Sequence, residues 1–159
     1  MTRAAPLGHF TAFAACAPKR VAAAIVASVL GAGPAAAQEE AGAAPSLVLE
    51  LNALQASDRG CRFAFLATNN LGGELSGAAF ELALFDKAGM LSRLTIIDFK
   101  DLPHGKSKIR QFDFSGIDCG SVGRVLVNDA TQCAGEGIDP KACIRALKTE
   151  TRSDVAFGI

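Results

Sequence analysis

The 159-residue chain contains no tryptophan and no tyrosine. Those two absences remove the amphipathic rings that commonly grip sugars and dominate protein-binding hot spots. Its ten aromatic residues are all phenylalanine. Methionine is confined to Met1 and Met90 and histidine to His9 and His104, too few for a copper site built from several thioether and imidazole ligands. No Cys-x-x-Cys occurs, so the usual arrangement that lowers a thiol pKa in an exchange enzyme is missing. The nearest two cysteines, Cys133 and Cys143, stand ten positions apart, unlike the close ligand pairs of a zinc site. Asp98, Asp101, Asp113, Asp118 and Asp129 form no Asp-x-Asp-x-Asp-Gly calcium loop and read as solvated turn and strand-end residues. Gly120-Ser121-Val122-Gly123 lacks the Gly-Lys-Ser ending of a phosphate loop. No cofactor or metal is expected.

One long apolar run is present, and it lies at the front. Val21 to Ala37 follows Lys19-Arg20 and ends in Ala35-Ala36-Ala37 before Gln38-Glu39-Glu40, the layout of a cleavable secretory signal. A membrane anchor is the competing reading, but the run is alanine-rich, carries Gly31 and Gly33, and breaks at Pro34. Ala35 and Ala37 suit the small-residue subsites of a signal peptidase. Lys19-Arg20 stands where a twin-arginine signal has two arginines, which makes that route the lesser of the two export routes. Cys16 precedes the apolar core rather than following it, so it reads as part of the discarded leader and not as a lipid-bearing residue.

Export places the remainder in the periplasm or outside the cell, with no membrane span after cleavage. Removing Arg3, Lys19 and Arg20 from sixteen basic residues leaves thirteen against sixteen acidic ones, a formal charge of −3. The nearest thing to a basic cluster is Lys106, Lys108 and Arg110, whose spacing of two predicts one solvated side of a strand. Nucleic acid is therefore not an expected partner, because its binding rests on clustered phosphate-neutralising charges.

The chain divides into a leader over residues 1–37, a flexible small-residue lead over 38–46, and a single folded domain over 47–159. Short Val-, Ile-, Leu- and Phe-rich stretches recur through that domain, separated by Gly, Asn, Asp and Pro, the signature of an antiparallel sandwich or barrel. Leu47, Leu49 and Leu51 share one face of a first strand, Cys61, Phe63 and Phe65 one face of a second, and Phe80, Leu82 and Leu84 one face of a third. Asn69 to Gly73 is a turn cluster, and Asp86-Lys87-Ala88-Gly89 a hairpin connection with late glycine. Leu91 to Phe99 and Lys106 to Phe114 are the fourth and fifth strands. In the fifth, Ile109 falls out of phase with Phe112 and Phe114, which predicts either a bulge or two partly covered faces. Val122 to Asn128 reads as a central sixth strand. Leu147 to Thr151 reads as a seventh, or Asp139-Pro140 and Lys141 to Leu147 as one short helix.

The order Asn69-Asn70-Leu71-Gly72, then Phe80 to Asp86, then Gly89 and a further apolar strand resembles the core of bacterial immunoglobulin-like sandwich modules of exported proteins. More narrowly, Gly123-Arg124-Val125-Leu126-Val127-Asn128-Asp129, preceded by Cys119 and followed by Cys133 and Cys143, resembles a family of small uncharacterised exported proteobacterial proteins. Some of these are labelled only by a twin-arginine signal. The resemblance covers about Leu47 to Arg152. It implies an all-β, single antiparallel immunoglobulin-like sandwich of about seven strands and a place outside the cytoplasm, and it brings no catalytic residues.

Cys61, Cys119, Cys133 and Cys143 form an even set in an exported chain, so two disulfides are expected. Of three possible pairings, spacing favours Cys133 with Cys143, whose separation contains Gly135, Gly137 and Pro140, and Cys61 with Cys119 at strand edges. Arg124 lies inside the apolar run Val122 to Val127. In a central strand its guanidinium must be paired or reach the surface, and a carboxylate partner is expected at Asp129, Asp98 or Asp113, forming a structural ion pair.

These observations converge on a non-enzymatic binding or accessory module that meets an envelope protein partner through loops or an edge strand. The alternative is a small periplasmic hydrolase or thiol-redox enzyme using His104 or a cysteine, with Ser107 and Asp101 near that histidine in sequence. The leader reading carries a direct test: the mature protein begins at Gln38 or within two residues of it by intact-mass analysis of the exported form. A full-length, membrane-inserted chain beginning at Met1 contradicts it.

Overall fold

A computed structural model of the chain describes residues 43–159. The leader at 1–37 and the lead at 38–42 lie outside the described residues. Ser46, placed in the lead by sequence, already opens the first strand and is buried. None of the helices among the described residues is long and apolar enough to cross a membrane.

Eight strands make two four-stranded sheets that share one core. In chain order they are β1 Ser46–Ser57, β2 Gly60–Asn70, β3 Leu75–Asp86, β4 Leu91–Leu102, β5 Ser107–Ser115, β6 Val122–Ala134, β7 Leu147–Thr151 and β8 Ala156–Gly158. One sheet runs β5-β2-β1-β7 and the other β4-β3-β6-β8. The sheets are not wholly antiparallel, because β7 lies parallel to β1 and β8 parallel to β6. Each parallel strand closes an edge late in the chain. The sequence reading of about seven strands missed β8, whose three residues are too short for a periodic signal.

Alternation selects the core as the pattern predicts. Leu47, Leu49 and Leu51, then Cys61, Phe63 and Phe65, then Phe80, Leu82 and Leu84 are all fully buried, since side chains of one phase along a pleated strand share one face. Two alternatives left open by the sequence near the C-terminus are both realised. A short helix α1, Ala142–Arg145, follows Pro140 and leads directly into β7.

The fifth strand resolves differently from expectation. β5 pairs with β2 without a register shift from Gly60↔Ser115 to Thr68↔Ser107, so no bulge intervenes. Ile109 points outward and is 68% exposed. Lys108 and Arg110, read as a solvated face, instead share the inner phase with Phe112 and Phe114. Their stems run along the core rim and their charged ends reach β4. The Arg110 Nε donates to the Phe99 carbonyl at 3.1 Å, and the Lys108 Nζ donates to the Asp101 carbonyl at 3.0 Å and to its carboxylate. Long basic side chains can bury an aliphatic stem while keeping the charge at a polar edge.

Asn69 holds one end of the sandwich. Its side chain is fully buried, yet it donates to the Gly73 and Leu102 carbonyls at 2.9 and 2.8 Å and accepts from the Leu71 N–H at 3.0 Å. Its own carbonyl accepts from the Gly105 N–H at 2.7 Å. One residue thus ties the β2–β3 turn to the β4–β5 turn. At the opposite end Gly123 is required by contact: a Cβ there would stand 2.5 Å from the Asp86 carbonyl oxygen. That glycine serves backbone approach between β6 and the β3–β4 hairpin.

Cys61 pairs with Cys119, and Cys133 with Cys143. The first link joins β2 to the turn that leads into β6, spanning 58 positions; the second fastens α1 to the end of β6 across 10 positions. In the chain-entropy model the longer loop stabilises by about 4 kcal/mol and the shorter by about 3 kcal/mol. Replacing Cys61 and Cys119 together by serine therefore lowers the urea midpoint further than replacing Cys133 and Cys143. Equal losses contradict the loop-length account.

Candidate interaction surface

Two faces of the sandwich look outward, and they differ. On the β4-β3-β6 sheet, Leu82 and Leu84 point inward, so Glu81, Ala83 and Phe85 point outward. Ala83 is flanked by Leu94 on β4 and Leu126 on β6, Phe85 by Leu91 and Arg124, and Glu81 by Ile96 and Asp129. Leu91, Leu94 and Ile96 are 53%, 53% and 59% exposed. Ala83 is buried between its taller neighbours, although it faces outward. The result is an apolar ridge along β4 beside a small-residue floor on β3. Single exposed apolar residues are ordinary, whereas contiguous ones mark interaction surfaces.

The same strand is the outer edge of its sheet. Its C-terminal half is closed. Lys100 adopts φ 62° at a register shift between Ala78 and its neighbours, and its N–H donates to Asp98 Oδ1 at 2.8 Å. On either side of it, the carbonyls of Phe99 and Asp101 are taken by Arg110 and Lys108. Bulges and inward-pointing charges are standard protection of a sheet edge. From Arg93 to Asp98, β4 carries no register shift and no charged side chain of β5 reaches its backbone; the shift at the near end falls at Ser92, whose Oγ donates to the Leu84 carbonyl at 3.0 Å. Arg93, also on the inner phase, reaches instead to the Ser115 carbonyl at 3.1 Å.

Arg124 does not form the ion pair with Asp129, Asp98 or Asp113 that its place in an apolar run suggested. β6 is interior to its sheet, but Arg124 faces outward and is exposed, so solvent and the ring of Phe85, 4.3 Å from its guanidinium carbon, satisfy it. Asp129 accepts the Ala130 N–H at 2.8 Å, Asp98 pairs with Lys100, and Asp113 is forked by Arg62 at 3.0 and 3.2 Å. No sequence signal distinguishes a cation–aromatic contact from an ion pair when the cross-strand neighbour is unknown.

The residues of the enzymatic alternative are not brought together. His104 is exposed in the β4–β5 turn; Ser107 shares a hydrogen bond of 2.7 Å with Thr68, and Asp101 is held by Lys108 and Arg110. All four cysteines among the described residues are in disulfides. Among the described residues no group of three His, Cys, Asp or Glu side chains is placed to hold a metal. Recesses among the described residues include one lined by Glu74, Asp101 and Glu136 and one by Asn52, Lys87 and Arg152. In each, a charged member is already engaged, Asp101 by Lys108 and Arg152 by Glu50. No protein-family model matches the chain, and neither a curated protein nor a solved structure matches it.

The ion pairs around the rim have a pH signature. The hydrogen bond from Arg62 holds the Asp113 carboxyl below the usual range, and those from Lys108 and Lys100 do the same for Asp101 and Asp98. The Lys141 N–H lowers Asp139, and Asn52 lowers Glu50. Depressed folded values mean that the unfolded chain binds more protons in acid. Their stabilisation is full above the unfolded range near pH 4 and is lost as pH falls through the lower folded values. Urea midpoints followed downward from neutral pH decline below that range, and Asp113→Asn reduces the decline. An unchanged profile in that variant removes Asp113 from the account.

Proposed function

We propose that this chain is an exported, non-enzymatic binding module that engages a protein partner through the open edge of β4 and the apolar face beside it. The observation that carries the reading is the run Leu91, Leu94 and Ile96, half-exposed on an edge strand whose far end is protected and whose middle, Arg93 to Asp98, keeps an unbroken register with β3. Edge strands with free backbone groups recognise extended segments by strand addition, while alternate side chains supply specificity. The two disulfides are consistent with an oxidising compartment, periplasmic or secreted. An immunoglobulin-like reading of the sandwich is supported by pairing between strands three apart in sequence, β2 with β5 and β3 with β6, since such cross-sheet connections are the Greek-key habit of that architecture.

A photo-crosslinking residue at position 94, introduced into the chain expressed with its own leader, tests the surface. A specific adduct at 94 that a probe at Ile109, on the opposite sheet, does not give is the expected outcome. Equal labelling from both positions, or none from 94, rejects β4 as the binding edge.

A further inference from the structure

We propose that the occupant of the β4 edge is a second copy of this chain, paired antiparallel through Arg93–Ile97 about a two-fold axis at Thr95. The inference rests on the reading of β4 as the binding edge and names its partner. In antiparallel pairing, residues directly opposite face the same side of the sheet. A register centred on Thr95 sets Leu94 opposite Ile96 of the second copy, and Ile96 opposite its Leu94. Both pairs lie on the outer face, where each residue alone is more than half exposed. Thr95 meets Thr95 on the inner face, on the phase of Leu82, and threonine pairs are among the favourable cross-strand combinations. Arg93 meets Ile97 of the second copy on the inner face. No like charges are opposed within these five residues.

The ends of the segment explain why pairing stops there. On one side the hairpin Asp86 to Met90 turns away, with Asp86 Oδ1 accepting the Ala88 and Met90 N–H groups at 2.8 and 2.9 Å. On the other, the Lys100 bulge and the capped Phe99 and Asp101 carbonyls end the free edge. The assembly is also closed. Once β4 is paired, the remaining edge of the sheet is β8, whose three residues are too short to template another copy. An isologous contact that uses up its own edge yields a dimer and not a fibre.

The full chain is expressed with its leader in an exporting host, and the accumulated protein is sized by light scattering and sedimentation. A dimer is expected in the range up to about 100 µM that captures weak homodimers. Two double variants with the same loss of apolar surface then read the register. Leu94→Lys with Ile96→Lys opposes lysines directly and weakens the dimer at least about tenfold. Leu94→Lys with Ile96→Glu opposes lysine to glutamate and keeps it. Thermal midpoints verify that both stay folded, as their exposed positions require.

Thr95→Cys provides an independent reading: under oxidising conditions it forms a covalent dimer, with the Cys61–Cys119 and Cys133–Cys143 links intact by peptide mapping. Leu94→Cys does so only when mixed with Ile96→Cys. A monomer throughout that range, equal behaviour of the two double variants, or no dimer from Thr95→Cys overturns the self-pairing. If the chain is monomeric but the probe at 94 attaches specifically to another envelope protein, self-pairing fails and the binding edge stands. If 94 attaches to nothing, both fail.

Discussion

The ring of Phe65 is where the two sheets become one body. It projects from β2 into a cluster that includes Phe99 of β4 at 6.1 Å, Phe112 of β5 at 6.1 Å and Phe157 of β8 at 5.6 Å, all edge-to-face. Phe99 in turn meets Phe80 of β3 and Phe112 at 5.9 and 5.5 Å. Rings from both sheets thus interlock in the geometry that aromatic quadrupoles favour, in addition to the area they bury. A chain without tryptophan or tyrosine needs no buried hydroxyl or indole N–H to be satisfied there. Among the buried polar side chains Asn69 is the most enclosed, and its amide is bonded on both its oxygen and its nitrogen.

With the centre held this way, the covalent links act at the ends. Cys61–Cys119 joins the start of β2 to the turn entering β6, which belongs to the other sheet. Cys133–Cys143 fastens α1, the only helix longer than one 3-10 turn among the described residues, onto the end of β6. That attachment delivers β7 to the edge of β1, and the chain then returns to close β6 with β8. Parallel closing strands arise because the last segment crosses the open end of the sandwich instead of turning back in a hairpin.

Edges rather than faces then decide what the molecule can meet. β5 is protected by its own inward charges, which also take two carbonyls of β4. β8 is protected by brevity. The stretch of β4 before the Lys100 bulge carries one inward charge, Arg93, turned to the Ser115 carbonyl, and no side chain of β5 takes its carbonyls; the apolar ridge is on the same stretch. An exposed edge that carries apolar side chains is ordinarily an aggregation liability, and that liability sets this stretch of β4 apart from β5 and β8.

Much of this sandwich was legible because alternation is local. The inward leucines of β1, the Cys61–Phe63–Phe65 phase, the Asp86 hairpin and the even cysteine set each follow from neighbours a few positions apart, and the pairing of the cysteines followed from spacing and strand edges. What sequence could not decide were relations between distant segments. Lys108 and Arg110 read as a solvated stripe until β4 was placed beside β5, and Arg124 read as needing a carboxylate until Phe85 became its neighbour. Period two states that residues share a face. Which strand is an edge, and whether a face is covered, depends on strand order, and strand order is set only when every inner face competes for the same core. The proposed binding edge belongs to that second class: Leu94 and Ile96 resemble any other strand residues in the sequence, and among the described residues no strand lies beyond β4 to cover that edge.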